Sequence, residues 1–477
     1  MAEKMSSKTS YLSKNLVLLS LSTFVPKLLS LVLIPIYANY LTQAEYGVAD
    51  LIETTVSLLV PVFTMTIYDA VLRFSMNKDY DQSEVFTNAI KIVFAGTALV
   101  GAAAFVVSRF HIEAITNTYL IIVVVSFFFC GMYNVVTRFC RAIDKVKLIA
   151  LSGGINSTIL LVCNILFLVV FGWGLNGYLL VHILASALPF LMCFFGARLY
   201  RYLKPKRAKA LMARMIAFSA PMIFSAIAWW INNASDRYIL TWMCGVAVSG
   251  VFAFSNKIPS LLSLVQTVFN QAWSISAIAE FDPEDEDGFL GNVYTSLVAV
   301  MALACSFLMI VNLPLAKVLY GTEFFEAWKY VPPLLAAAFF NALALYMDGL
   351  FLAVSQTKTI SACTVLGAVV NTVLNFLLIY FWGAYGAALA TMIGFGVGYL
   401  VRAFLLKKYV RLKVNSVKTC LTLVLLLAQV AISWLEWRSL YIQPALFLAI
   451  ALLYWRELKN MLVMIFAKIF KRDRRVQ

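Results

Sequence analysis

LSTFVPKLLS at residues 21–30 and IAFSAPMIFS at 216–225 carry a proline and a serine at the same places in two distant apolar segments. Working outward, Leu41 and Thr42 match Leu240 and Thr241, Gly47 matches Gly250, and Pro61 matches Pro259. Further on, Lys147, Asn164 and Gly177 match Lys358, Asn375 and Gly386. Matches that keep their order over this length indicate an internal duplication. It predicts two six-helix lobes, residues 1–200 and 201–408, followed by two more helices and a basic tail in 409–477. Tandem lobes are a transporter architecture, with the substrate site expected near the bilayer midplane between them.

The chain has 477 residues, 62% of them hydrophobic and only 13% charged. Soluble domains run at roughly half apolar and a quarter charged, so lipid has to be the solvent here. Apolar windows of bilayer length centre on 15–41, 47–72, 86–108, 117–139, 148–170, 175–197, 213–235, 246–272, 289–313, 328–353, 359–381, 384–406, 418–435 and 439–455. They predict an all-α integral membrane protein of about fourteen transmembrane helices. The first window is too long for a signal-peptide core and lacks a small-residue cleavage site, so it is expected to be retained, with the chain starting near Met1.

A net charge of +15 suggests nucleic acid only if the basic residues share one soluble face, and here they punctuate apolar runs. With the N-terminus in the cytoplasm, most of the 38 Lys and Arg fall on the cytoplasmic side. Both termini are therefore expected there, in a bacterial inner membrane. The basic clusters 198–214, 402–418 and 468–475 suit anionic lipid headgroups. The acidic loop EFDPEDEDG, 280–288, reads as a solvated charge run rather than a metal–nucleotide site. Eight scattered cysteines without paired spacing read as small hydrophobes, and no metal or cofactor is expected. His182, one of two histidines, reads as a satisfied imidazole in an apolar helix and receives no role.

Ionisable residues inside the bilayer cost roughly 2.5–3.5 kcal/mol on insertion scales and normally face a wet cavity or a partner. Lys27 beside Pro26, and Lys257, lie mid-segment and are read as facing a wet cavity, since a helix seam gives a lone ammonium little compensation. Asp50 and Glu53, spaced i and i+3 with Ser57 at i+7, share one helix face and are candidates for ion coupling. Asn256, Ser260, Ser263, Thr267 and Asn270 form one polar stripe, which fits either an aqueous cleft or interhelical hydrogen bonding. Asp69, Arg73, Arg138, Arg141 and Asp348 lie near cytoplasmic helix ends, where snorkelling to water is the favoured reading and gating or headgroup capture the second. Asp236 and Arg237, at an outer end, either pair locally or close an outer gate. Prolines 26, 61, 221 and 259 bend matching helices, which suits rocking between access states as well as ordinary packing around neighbours.

LIPIYANYLTQAEYGVADL at 33–51, DRYILTWMCGVAVSGVFAFSNKI at 236–258 and NTVLNFLLIYFWGAYGAALAT at 371–391 resemble the polysaccharide biosynthesis and O-antigen flippase family. This family belongs to the superfamily that also holds multidrug extruders and lipid II flippases. The resemblance implies a V-shaped, MATE-like pair of lobes around a cationic cleft. It also implies a polyprenyl-pyrophosphate-linked oligosaccharide as cargo, with polymerases and glycosyltransferases of the same pathway as partners. Lys27 and Lys257 match the family's basic cleft residues, with Arg73, Asn256, Ser260 and Asn270 as further substrate contacts; Asp50, Glu53, Asp69, Asp236 and Arg237 are candidates for coupling or gating. Helix 1 lacks the several arginines of the lipid II branch. The readings are a flippase for O-antigen, capsule or exopolysaccharide units; a cation-coupled multidrug antiporter, which would want an acidic cleft; and a lipid II flippase. Enzymes are disfavoured, since no loop between segments has room for a catalytic domain and no P-loop is present.

Overall fold

The computed structural model describes residues 32–110, 116–204, 209–457 and 459, and every regular element among them is helical. Residues 32–40 form a helix that stops at a capping box. The Thr42 hydroxyl accepts from the Glu45 amide at 3.3 Å, and the Glu45 carboxylate accepts from the Thr42 amide at 2.9 Å, starting α1 (Gln43–Phe63). Just after Pro61 the chain breaks. Met65 and Thr66 take φ of 54° and 46°, and the Thr66 amide reaches back to the Pro61 carbonyl before α2 (Ile67–Met76) resumes.

The chain continues as α3 (Gln82–Ser108), α4 (Asn117–Ala142), α5 (Val146–Asn164) with a π-helical turn at Ile165–Val170, and α6 (Gly174–Gly196). Next come α7 (Lys209–Cys244), α8 (Val246–Ser255), α9 (Pro259–Ala279), α10 (Phe289–Leu319) and α11 (Val331–Ala353). The last elements are α12 (Thr357–Leu406), α13 (Ser416–Ile432) and α14 (Ser439–Leu453). Among the described residues ten helices are long and apolar enough to span a bilayer, eleven if α8 and α9, bent by 48° just before Pro259, count as one span. The expected fourteen depends also on the window 15–41, of which 15–31 lie outside the described residues. Large apolar side chains such as Phe224, Trp242 and Leu452 are more than 70% exposed, as a lipid-facing surface requires.

The 50 residues of α12 would be about 75 Å long if straight, more than twice the hydrocarbon core. They are not straight. Gly383 takes φ 55° and ψ −135°, a conformation open to glycine, and the helix doubles back there. A Cβ on Gly386 would lie 2.1 Å from the Leu378 carbonyl, and Asn371 Nδ2 lies 3.4 Å from Thr391 Oγ1. α12 is thus a helical hairpin supplying two spans.

By internal contacts the chain forms two compact units, Met1–Thr241 with Gly245–Gly250, and Trp242–Cys244 with Val251–Gln477. The first unit takes in most of α7, which packs on α1: the Trp230 indole donates to the Thr54 carbonyl at 2.9 Å and the Tyr238 hydroxyl meets that of Thr55. The first unit's core is built by Ile67, Val71, Phe86, Val93, Phe139 and Met215. In the second unit α11 is central, with 78% of its apolar window buried. Its alanines and glycine let neighbours approach, and Trp273 of α9 stacks on Tyr346 at 4.4 Å while donating to the Tyr346 carbonyl.

Candidate functional site

Within the first unit, α1 brings two carboxylates against two different helices. Asp50 Oδ2 lies 2.6 Å from Arg237 Nε on α7, with 16% and 14% of the side chains exposed. Glu53, three residues on, is aimed at α6: its Oε1 accepts from the Tyr178 hydroxyl at 2.9 Å and lies 3.0 Å from His182 Nε2. His182 stacks on Tyr178 at 4.2 Å, and its Nδ1 is 2.9 Å from the Tyr178 carbonyl. Tyr37 and Tyr46 pack on the same phenol ring, so the polar atoms have an aromatic wall. Asp236 is 5% exposed, and its carboxylate accepts from the Arg237 amide. Of the two readings of Asp236 and Arg237, the structure shows Arg237 crossing to α1. His182, given no role from sequence, is a member of this cluster; its 129-residue separation from Glu53 leaves no local pattern to find.

Another face of α1 borders an apolar cavity of about 590 Å³ lined by Leu51, Thr55, Val100, Val123 and Tyr238 among others. That volume is in the range of small-molecule sites. Here it offers room for hydrocarbon.

The other sequence candidates fare unevenly. Lys27 lies outside the described residues. Arg73 places its guanidinium 4.4 Å over the Phe218 ring, and Asp69 faces Arg138 at 3.6 Å with both side chains more than a third exposed. In the second unit Lys257 and Asn256 sit in the turn between α8 and α9, so the polar stripe does not run down one continuous helix. Asn256, Ser260 and Thr267 bond backbone carbonyls of their own segment, whereas Asn270 holds a buried side-chain oxygen with no hydrogen-bond partner among the described residues.

Two readings are corrected. Asp348 does not snorkel: it is paired with Arg402 of α12, Nε to Oδ1 at 2.7 Å, with 14% and 7% of the side chains exposed. Arg402 also donates to Thr364 and the Gly398 carbonyl, which satisfies a guanidinium held away from water. Nor is the acidic loop wholly solvated. Asp285 is 1% exposed and accepts from the amides of Leu290, Gly291 and Lys413, locking the loop onto α10 and the segment after α12.

An all-α chain with this many spans, a helical hairpin in α12 and buried charge pairs inside its units defines a polytopic membrane protein of the transporter type. Residues 12–281 match the polysaccharide biosynthesis protein family, and the chain belongs to it. It is 22% identical over 208 residues to the probable low-salt glycan biosynthesis flippase Agl15 of Haloferax volcanii, a match covering 41% of this chain and 44% of that relative's length. Its fold is that of the lipid II flippase MurJ in an inward closed conformation (TM-score 0.69, 15% identity, 93% of this chain and 99% of that one). It is also that of an inward-facing multidrug resistance MATE family transporter (TM-score 0.64, 13% identity, 80% and 95%).

Proposed function

We propose that the chain is a flippase that moves a polyprenyl-pyrophosphate-linked oligosaccharide repeat unit across the bacterial cytoplasmic membrane by alternating access, for assembly of a surface polysaccharide. The observation carrying this reading is the family match over residues 12–281. The glycan flippase relative and the fold shared with a lipid flippase support it. The cargo would have a pyrophosphate, which calls for cations, and a long hydrocarbon tail, for which the apolar cavity has a suitable lining. Lys27 and Lys257 are proposed as phosphate contacts, with Arg73, Asn256, Ser260 and Asn270 as secondary ones. Asp50, Glu53, Asp69, Asp236 and Arg237 are proposed for coupling or gating. Both termini are proposed to be cytoplasmic, and the enzymes that build and polymerise the repeat unit are the proposed partners.

The test is deletion of the gene in a strain that makes a surface polysaccharide. The expected result is loss of the polymer with lipid-linked repeat units accumulating on the cytoplasmic leaflet, restored by the wild-type chain but not by Lys257→Ala at equal protein level. Unchanged polymer in the deletion strain would overturn the reading. Resistance to cationic dyes conferred by the chain, with polymer unaffected, would favour the antiporter instead.

A further inference from the structure

Both ring nitrogens of His182 face oxygen atoms, Nδ1 the Tyr178 carbonyl at 2.9 Å and Nε2 the Glu53 carboxylate at 3.0 Å. A carbonyl oxygen can only accept, so Nδ1 carries a hydrogen. In the neutral ring with that tautomer, Nε2 is a lone pair, and a lone pair 3.0 Å from an ionised carboxylate oxygen is repulsive. The Tyr178 hydroxyl does not resolve this, because its hydrogen is already given to the same Oε1. The geometry therefore requires one further hydrogen between Nε2 and Oε1, formally on the imidazole or on the carboxyl.

We propose that Glu53 and His182 form a proton-binding site that ties α6 to α1 when occupied, and that transport is coupled to proton movement through it. The ligand is a proton rather than a sodium ion, since hard alkali cations take oxygen ligands and an imidazole nitrogen serves them poorly. Among the described residues, the titratable and charged groups around the pair include Tyr46 and Asp50 on α1, Tyr178 on α6, Asp236 and Arg237 on α7, and Tyr37 on the preceding helix. With the proton bound the pair is neutral. Without it the pair carries one net negative charge, in surroundings that support charge poorly. Loss of the proton sets carboxylate against lone pair and releases α6, while the Asp50–Arg237 pair keeps α1 on α7. Glu53 lies about 15 Å along α1 from its first residue, and 40% of its side chain and 28% of that of His182 are exposed, so the proton can exchange.

Proton binding stands on this geometry alone, whereas its coupling rests on the transport reading above, so the experiment has two arms. In the first, nitrogen NMR of 15N-histidine-labelled protein in lipid nanodiscs, carrying His111→Asn, isolates His182. At neutral pH the wild-type ring should show both nitrogens protonated or hydrogen-bonded through a shared proton, and Glu53→Gln should leave one nitrogen bare. A wild-type ring with one bare nitrogen at neutral pH overturns the site without any variant having to fold. In the second arm, Glu53→Gln and His182→Gln, at wild-type protein level, should cut surface polymer about tenfold and abolish its sensitivity to a proton ionophore. Polymer at wild-type level and ionophore sensitivity in His182→Gln overturn the coupling. Intact polymer in the deletion strain would overturn the flippase reading instead and leave the NMR result standing.

Discussion

A carboxylate and a guanidinium at 2.6 Å, each mostly shielded from water, depend on one another more than on their helices. Removing one partner leaves a charge without compensation, which costs about 3–5 kcal/mol in buried pairs, whereas replacing both costs far less. Arg237→Gln and Asp50→Asn are each expected to lower the unfolding temperature in detergent more than the double variant does; additive losses would show that the pair is not coupled. Asp285 is a stronger case of a charge acting as a structural acceptor. Asp285→Ala strands three backbone amides at a helix start and a loop, and should destabilise by about 2–4 kcal/mol in the same assay. Asp81, outside the spans, caps α3: the Ser83 amide first and Lys204 second hold its carboxyl below the usual carboxylate range. A carboxyl lowered by folding contributes stability above its unfolded-state value and loses that contribution as pH falls through the folded one. Hydrogen exchange at the first turn of α3 should therefore quicken as pH drops below the carboxylate range, beyond the intrinsic change, and Asp81→Asn should remove that response. At this scale the sequence marked Asp50 and Glu53 as expensive residues, because burial cost is a property of residue type, while Arg237 was read only as a residue at an outer helix end. Their partners were not legible: pairing between α1, α6 and α7 follows no period along the chain.

Helices in lipid gain little from apolar attraction to one another, so close backbone approach through small residues decides where they pack. α1 and α8 meet at such a place. A Cβ on Gly47 would lie 2.2 Å from the Val246 carbonyl, and one on Gly250 would lie 2.1 Å from the Gln43 carbonyl and 2.9 Å from the Gly47 amide nitrogen. The obstacles are backbone atoms, which cannot rotate aside, so Gly47→Ala and Gly250→Ala should each cost about 1–3 kcal/mol and lower the unfolding temperature. Gly154→Ala in α5 meets nothing within 4 Å and serves as the control; it should be neutral or slightly stabilising, since alanine favours a helix interior. Equal effects at all three positions would sink the contact argument. Gly47 and Gly250 were recognised as a repeat-related pair, yet nothing in a repeat says that its two copies touch. The hairpins are similarly half-legible. Asn164 with Gly177 and Asn375 with Gly386 were matched in sequence. In the structure each pair brackets a place where one apolar helix gives way to the next, through the π turn and Gly172–Gly174 in one case and Gly383 in the other.

Loops that touch must lie on the same side of a membrane, and this fixes the parity of the spans between them. The Arg411 amide donates to the Pro283 carbonyl and the Lys413 amide to Asp285, joining the loop before α10 to the segment after α12. An odd number of crossings between those points is impossible. α10, α11 and an unbroken α12 would make it odd; the turn at Gly383 makes it even, in agreement with the hairpin contacts. The first unit obeys the same rule, since Asp81 faces Lys204 at 3.6 Å across the ends of α3 to α6. Composition foresaw a many-span path because the bilayer imposes length on any spanning chain, and the apolar windows 359–381 and 384–406 already divided α12 at Gly383; the 48° bend before Pro259, inside the single window 246–272, depends on local backbone geometry that hydropathy does not register. The path gives a topology that single cysteines can read in a chain cleared of its eight native ones. Asp79→Cys and Asp287→Cys should be protected from a membrane-impermeant maleimide in intact cells, on the side where the basic clusters gather. Trp382→Cys, beside the Gly383 turn and 56% exposed in the native side chain, should react. Labelling of Asp287→Cys and Trp382→Cys from the same side would mean that α12 does not cross and return. Labelling of Asp79→Cys and Asp287→Cys from outside, with Trp382→Cys protected, would keep the hairpin and invert the proposed orientation.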